Sequence, residues 1–195
     1  ETANWDQEEP YTIYTPYING ENEHALVGCA ATAISIIMRY HKWPERGHGQ
    51  VGGYTTSSYP TYIPAYSLDN HVYNWDNMPL TDAAMKKSAW TDAQLREVGQ
   101  LMLDCGVMIQ MDYSFDGSGA YSSLMAELIK KHMSYAESAT YLTRSSYKLD
   151  EWFQIMKNEI DADRVVYYTG NGNVGGHAFV CDGYDTDESM LHINW

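Results

Sequence analysis

Apolar residues fall into two patterns along the first 44 positions. From Trp5 to Ile18 they are scattered among Pro10, Pro16 and alternating Tyr and Thr, which predicts irregular chain over the first 20 residues. From Leu26 they become dense. "LVGCAATAISIIMRYHKWP" breaks at Gly28 and then reads as an Ala- and Ile-rich helix from about Gly28 to Tyr40. "KWP" at 42–44 stops it, because proline cannot continue a helix. Between about Gly47 and Pro79 helix formers are few and Gly, Ser, Pro and Tyr abundant, so long loops with short strands are expected. A short helix is predicted near 81–88, and a better one starts at Thr91, which forms a capping box with Gln94. Leu95, Val98, Met102 and Cys105 recur at intervals of 3, 4 and 3, which puts Cys105 on the buried face. Two more helices are predicted, from about Tyr121 to Lys131 and from Leu149 to Ile160.

The last third reads as strands. "RVVYYTG" at 164–170 and "HAFVCDGY" at 177–184 are separated by the glycine-rich "NGNVGG", and "DTDES" at 185–189 turns the chain into "MLHINW". If that turn closes a hairpin, Tyr184 pairs near Met190, Asn194 lies across from about Val180, and Trp195 from about Phe179. Helices first and strands last predict a single α+β domain with two lobes. Residues 1–20 form an N-terminal segment, about 21–135 a mainly helical lobe, and about 136–195 a strand-rich lobe.

Size and charge narrow the partners. A chain of 195 residues buries roughly 70% of its unfolded surface and needs no disulfide framework. With 12 basic and 26 acidic residues its net charge is −14, which repels nucleic acid and anionic membrane surfaces, so neither is expected as a partner. Its 17 Tyr and 6 Trp suit the binding of peptides or sugars by stacking and hydrogen bonding. No apolar run reaches transmembrane length. "ETANWDQEEP" is not signal-like, and any leader or pro-segment is expected to have been removed.

The cysteines carry the chemistry. Cys29, Cys105 and Cys181 are odd in number and widely spaced, with no zinc-like spacing, so at least one thiol is unpaired and no metal is expected. Cys105 fits simple packing. Cys29 stands in the first turn of a helix, where unpaired N–H groups and the positive end of the macrodipole favour a thiolate. A small residue packed among Ala30, Ala31 and Ala33 is the plainer alternative. Gly28 and the alanine face tilt the balance, because they admit another segment close to the thiol.

A nucleophile needs a base. His177 follows "VGG" and opens a strand beside Gly175 and Gly176, which leave backbone free for an extended substrate. His24 lies close to Cys29 in sequence but in a loop, and His192 falls within the last strand. His41, His48, His71 and His132 read as ordinary surface or loop positions. In the hairpin register Asn194 and Trp195 come within a residue or two of His177, one able to hydrogen-bond the imidazole and the other to shield it from water. Cys181 lies roughly 13 Å along the strand from His177 and cannot replace Cys29.

"GCAATAISIIMRYHKWP", "VYYTGNGNVGGHAFVCDGY" and "HINW" resemble segments of the streptopain-like cysteine peptidases, the group that includes interpain, within the papain-like superfamily. "YNWDNMP" at 73–79, "GVMIQMDYS" at 106–114 and "DQEEPY" at 6–11 are similar as well, so the resemblance covers nearly the whole chain. It implies a papain-like α+β fold with a cleft between a helical lobe and an antiparallel strand-rich lobe. It implies Cys29 as nucleophile and His177 as general base and acid, acting as a thiolate–imidazolium pair through an acyl-enzyme, with Gln7 as an oxyanion donor. Asn194 and Trp195 flank the histidine, and which of them orients it stays open. It further implies a secreted, cell-surface or periplasmic endopeptidase, made as a zymogen with its own pro-segment as inhibitor, acting on proteins or peptides without a cofactor. The family continues after "NW" with a glycine- and tryptophan-rich loop and more strands. The C-terminal remainder is therefore expected as a separate fragment, a further segment or a second chain. Two alternatives stand beside this reading: a noncatalytic aromatic-rich module binding peptides or glycans, and a Cys–His acyltransferase.

Overall fold

In a computed structural model of the chain, residues 1–18, 22–83, 89–173 and 175–195 are described. Helix α1, Cys29–His41, starts at the cysteine. Its N-cap, Gly28, has φ +88°, and a Cβ there would sit 2.7 Å from Met111 Cε and 3.1 Å from the Ser118 carbonyl oxygen. Only glycine meets both demands. Every residue from Ala30 to Met38 is buried, so α1 runs through the core rather than along its surface. The hydroxyls of Thr32 and Ser35 are accommodated there by donating to the carbonyls of Gly28 and Ala31, at 3.2 and 2.7 Å. Gly28→Ala is expected to cost roughly 1–3 kcal/mol of stability, through the forbidden φ and the Met111 clash. Thermal melts check this.

Four two-residue strands occupy the predicted loop region: β1 (Gln50–Val51), β2 (Tyr54–Thr55), β3 (Tyr62–Ile63) and β4 (Tyr66–Ser67). β1 pairs with β4 and β2 with β3, both antiparallel. The short helix predicted near 81–88 falls mainly on residues outside the described set. Helix α2, Asp92–Met108, opens with the expected capping box: Thr91 accepts from the Gln94 N–H, and the Gln94 side chain accepts from the Thr91 N–H at 2.8 Å. Cys105 is fully buried, its sulfur 3.6 Å from that of Met38 on α1. One turn of α2 also buries Asp104, whose carboxylate accepts from Tyr66, Tyr73 and Gln100 at 3.0, 2.9 and 2.8 Å. Burial raises its pKa despite these donors, and the two tyrosines tie the loop region to the helix.

The helix predicted from Tyr121 begins instead as a 3₁₀ turn, Ser122–Leu124, and becomes α3 only at Met125–Met133. Helix α4, Leu149–Asp161, buries Trp152 and Met156, and packs against the last three strands. Those are β5 (Val166–Gly172), β6 (Gly175–Asp185) and β7 (Met190–Asn194), in an antiparallel sheet of that order. Ala178 and Val180 of β6 join the core that surrounds α1, which makes the contact between the helical and strand-rich parts. The fold is α+β, as expected, with α4 belonging to the strand-rich half.

The last hairpin differs in one respect. Tyr184 pairs with Leu191, not Met190, yet Asn194 does face Val180. A β-bulge at Asp182, between Cys181 and Gly183, takes up the one-residue difference.

Candidate active site

The segment before α1 is clamped from both sides. The Val27 N–H donates to the Gln7 carbonyl at 2.9 Å, while the Leu26 N–H donates to Ser114 and its carbonyl accepts from the Ser118 hydroxyl, at 2.9 and 2.7 Å. Gln7 is thereby pinned beside the residues that lead into Cys29. No side chain caps α1, which leaves its first-turn amides free to act on a neighbouring anion. The Cys29 thiol itself is half-buried and unpaired.

Gln7, Cys29, His177, Asn194 and Trp195 all line one cleft of about 480 Å³. Five residues drawn from the N-terminal segment, α1, β6 and the end of the chain thus converge as the sequence suggested. Gly175 and Gly176 do not line it. They are exposed and lie in the β5–β6 ladder opposite Gly172 and Asn171. Their missing Cβ atoms serve the hairpin: Gly175 has φ +125°, and a Cβ on Gly176 would come 2.6 Å from the Asn171 side-chain oxygen.

His177 sits in an aromatic wall. Its ring centroid lies 4.5 Å from that of Trp195 and 5.9 Å from that of Phe179. Phe179 in turn stacks on Trp195 at 5.1 Å and on Tyr168 at 5.4 Å. Burial behind these rings disfavours the charged imidazole and lowers the His177 pKa. Strand alternation puts His177 and Phe179 on one face and Ala178 and Val180, with its partner Asn194, on the other. Trp195 is therefore the residue packed on the imidazole. The Asn194 amide nitrogen instead donates to the Thr2 hydroxyl and the Ala3 carbonyl, at 3.0 and 2.8 Å.

The other histidine near Cys29 in sequence is occupied elsewhere. His24 Nδ1 meets the Thr15 carbonyl, and its ring packs 4.1 Å from that of Tyr17. The other thiols are sequestered: burial pushes Cys105 up to about 12 and Cys181 up to about 11.

Sequence reading did not single out Tyr167. Its hydroxyl meets Ser122 at 2.7 Å, and its pKa rises to about 12, mainly through burial, with the nearby Cys29 adding to it. Alternation within "VVYYTG" places it on the core face, but nothing in a chain of 17 tyrosines marks it out. Among the described residues, no group of three or more His, Cys, Asp or Glu is placed to hold a metal ion.

A cysteine at the head of a buried helix, facing a histidine-bearing strand of an antiparallel sheet, is the arrangement of papain-like peptidases. The chain belongs to the peptidase C10 family, whose model matches residues 5–195. It is 33% identical over 204 residues to streptopain of Streptococcus pyogenes, covering 98% of this chain and 50% of streptopain. It is 31% identical over 193 residues to the thiol protease/hemagglutinin PrtT of Porphyromonas gingivalis, covering 98% of this chain and 21% of that protein. The active wild-type interpain A cysteine protease of Prevotella intermedia superposes with a TM-score of 0.86 at 29% identity, over 99% of this chain and 78% of interpain. The chain thus spans about half the length of the streptopains it matches.

Proposed function

We propose that the protein is a cysteine endopeptidase with Cys29 as nucleophile and His177 as general base and acid. The observation that carries this reading is the convergence of Cys29, His177 and Gln7 on one cleft. His177 takes the thiol proton and Cys29 sulfur attacks the peptide carbonyl. Negative charge then grows on the carbonyl oxygen, where the Cys29 N–H and the Gln7 side-chain amide donate to it. His177 returns the proton to the leaving amine, which frees the first product and leaves an acyl-enzyme. Water, deprotonated by His177, attacks the thioester; the carboxylic acid leaves and the thiol is restored. Proton transfer makes Cys29 and His177 a thiolate–imidazolium pair, and burial behind the aromatic wall disfavours the imidazolium, which makes it a ready proton donor to the leaving amine.

Gln7→Ala is expected to lower kcat about a hundredfold, the usual cost of one oxyanion donor, with little change in KM. Steady-state kinetics on a peptide amide measure this. Unchanged kcat removes Gln7 from the site.

The substrates proposed are proteins or peptides, in keeping with the protease names of the relatives. A zymogen form is proposed by analogy with the prointerpain A of Prevotella intermedia, and secretion with it. Incubation with casein and a primary amine, with and without reductant, separates hydrolysis from acyl transfer. Reductant-dependent fragments are expected. Amine incorporation without fragments would favour the acyltransferase, and neither product the binding module.

A further inference from the structure

We propose that Thr2 and Asp182 are positioning residues that lock the end of β7, and with it the Trp195 wall, against His177. Asp182 is the bulge residue of β6, left without a ladder partner, and its side chain is only 13% exposed. One carboxylate oxygen meets His192 Nδ1 at 2.5 Å and the other accepts from the Thr2 hydroxyl. A hydroxyl has one proton. Since Thr2 gives it to the carboxylate, its oxygen must accept, and Asn194 Nδ2 supplies the donor at 3.0 Å. The second Asn194 N–H goes to the Ala3 carbonyl at 2.8 Å, an atom that can only accept. Asp182 therefore sets the direction of the whole chain of bonds and the orientation of the Asn194 amide. Asn194 directly precedes Trp195.

The same segment reaches the other side of the cleft. After Thr2 and Ala3, both buried, the Asn4 N–H bonds Leu80 and the Trp5 indole bonds Pro79, each at 2.8 Å, before Gln7 receives the Val27 N–H. One strap thus fastens Trp195 at one end and Gln7 at the other. The titratable groups that face Asp182 are His192 of β7, Tyr40 of α1 and Cys181 of β6. Those sharing the cleft with His177 are Cys29, Asp6 and Asp82.

This rests on the reading of His177 as the catalytic base, so its test includes a measurement that needs no turnover. The His177 imidazole is titrated by NMR in the full chain carrying Cys29→Ala, alone and combined with Thr2→Val, Thr2→Ser or Asp182→Asn. Thr2→Val keeps the shape and removes the hydroxyl. With Thr2→Val or Asp182→Asn, Trp195 is expected to lose its hold and the His177 titration to move up toward the ordinary imidazole range, while Thr2→Ser restores it. In the protein with Cys29 intact, Thr2→Val is expected to lower kcat about tenfold, as for one lost hydrogen bond, with KM little changed. A His177 titration identical in all four backgrounds overturns the proposal. If the titration moves as expected but no form, unsubstituted included, cleaves peptides, the positioning role stands and the peptidase reading fails.

Discussion

Cys29→Ala is expected to abolish peptide cleavage, by at least about 10⁴-fold, while the melting temperature changes little, because it removes the nucleophile and only one sulfur from a half-exposed site. A thiol-directed peptide reagent is expected to label Cys29 and stop there. The thiolate is the reacting species, and at pH 7 a thiol at about 11 is ionised in roughly one molecule in 10⁴, one at about 12 in fewer still. Cys181 and Cys105 are also shut off from the reagent by burial. Peptide mapping of the labelled protein reads the result. Equal labelling of all three cysteines would sink the nucleophile assignment.

His177→Ala is expected to lose at least about 10³-fold in kcat/KM, whereas His24→Ala stays within a few-fold of the unsubstituted protein. Both lie near Cys29 by some measure, one in space and one in sequence. His177 lines the cleft with Cys29, while His24 is held by Thr15 and Tyr17. The pH profile carries a second signature. Burial lowers the His177 pKa from its ordinary 6.5, so the neutral base persists to lower pH. The acid limb of kcat/KM is therefore expected below pH 6.5, and in the Thr2→Val protein it moves upward. If His24→Ala is the inactive variant, the base has been misassigned.

Local rules carried much of this molecule. Gly28 ahead of an alanine-rich run marked the start of α1, Thr91 and Gln94 marked that of α2, and intervals of 3 and 4 put Cys105 inside. Each depends on neighbours within one or two turns, which the order of residues determines directly. The meeting of Gln7, Cys29 and His177 was legible only through resemblance, because they lie far apart in the chain.

Other features depended on tertiary structure. Asn194 was placed opposite Val180 correctly, yet the route there passes through a bulge at Asp182 that the hairpin pattern does not announce. A bulge forms where side chains across the fold reward it, here Thr2 and His192 on the Asp182 carboxylate. Gly175 and Gly176 read as open backbone for a substrate; the fold puts them in the β5–β6 ladder with Gly172 and Asn171, outside the residues that line the cleft. The choice between Asn194 and Trp195 beside His177 followed from which face of a pleated strand each occupies. Sequence by itself placed α1, α2, α4, the last three strands and the candidate nucleophile and base. Register and packing decided which side chains share a face, since one residue of shift reverses every side chain on a strand and only contacts from distant segments select the register.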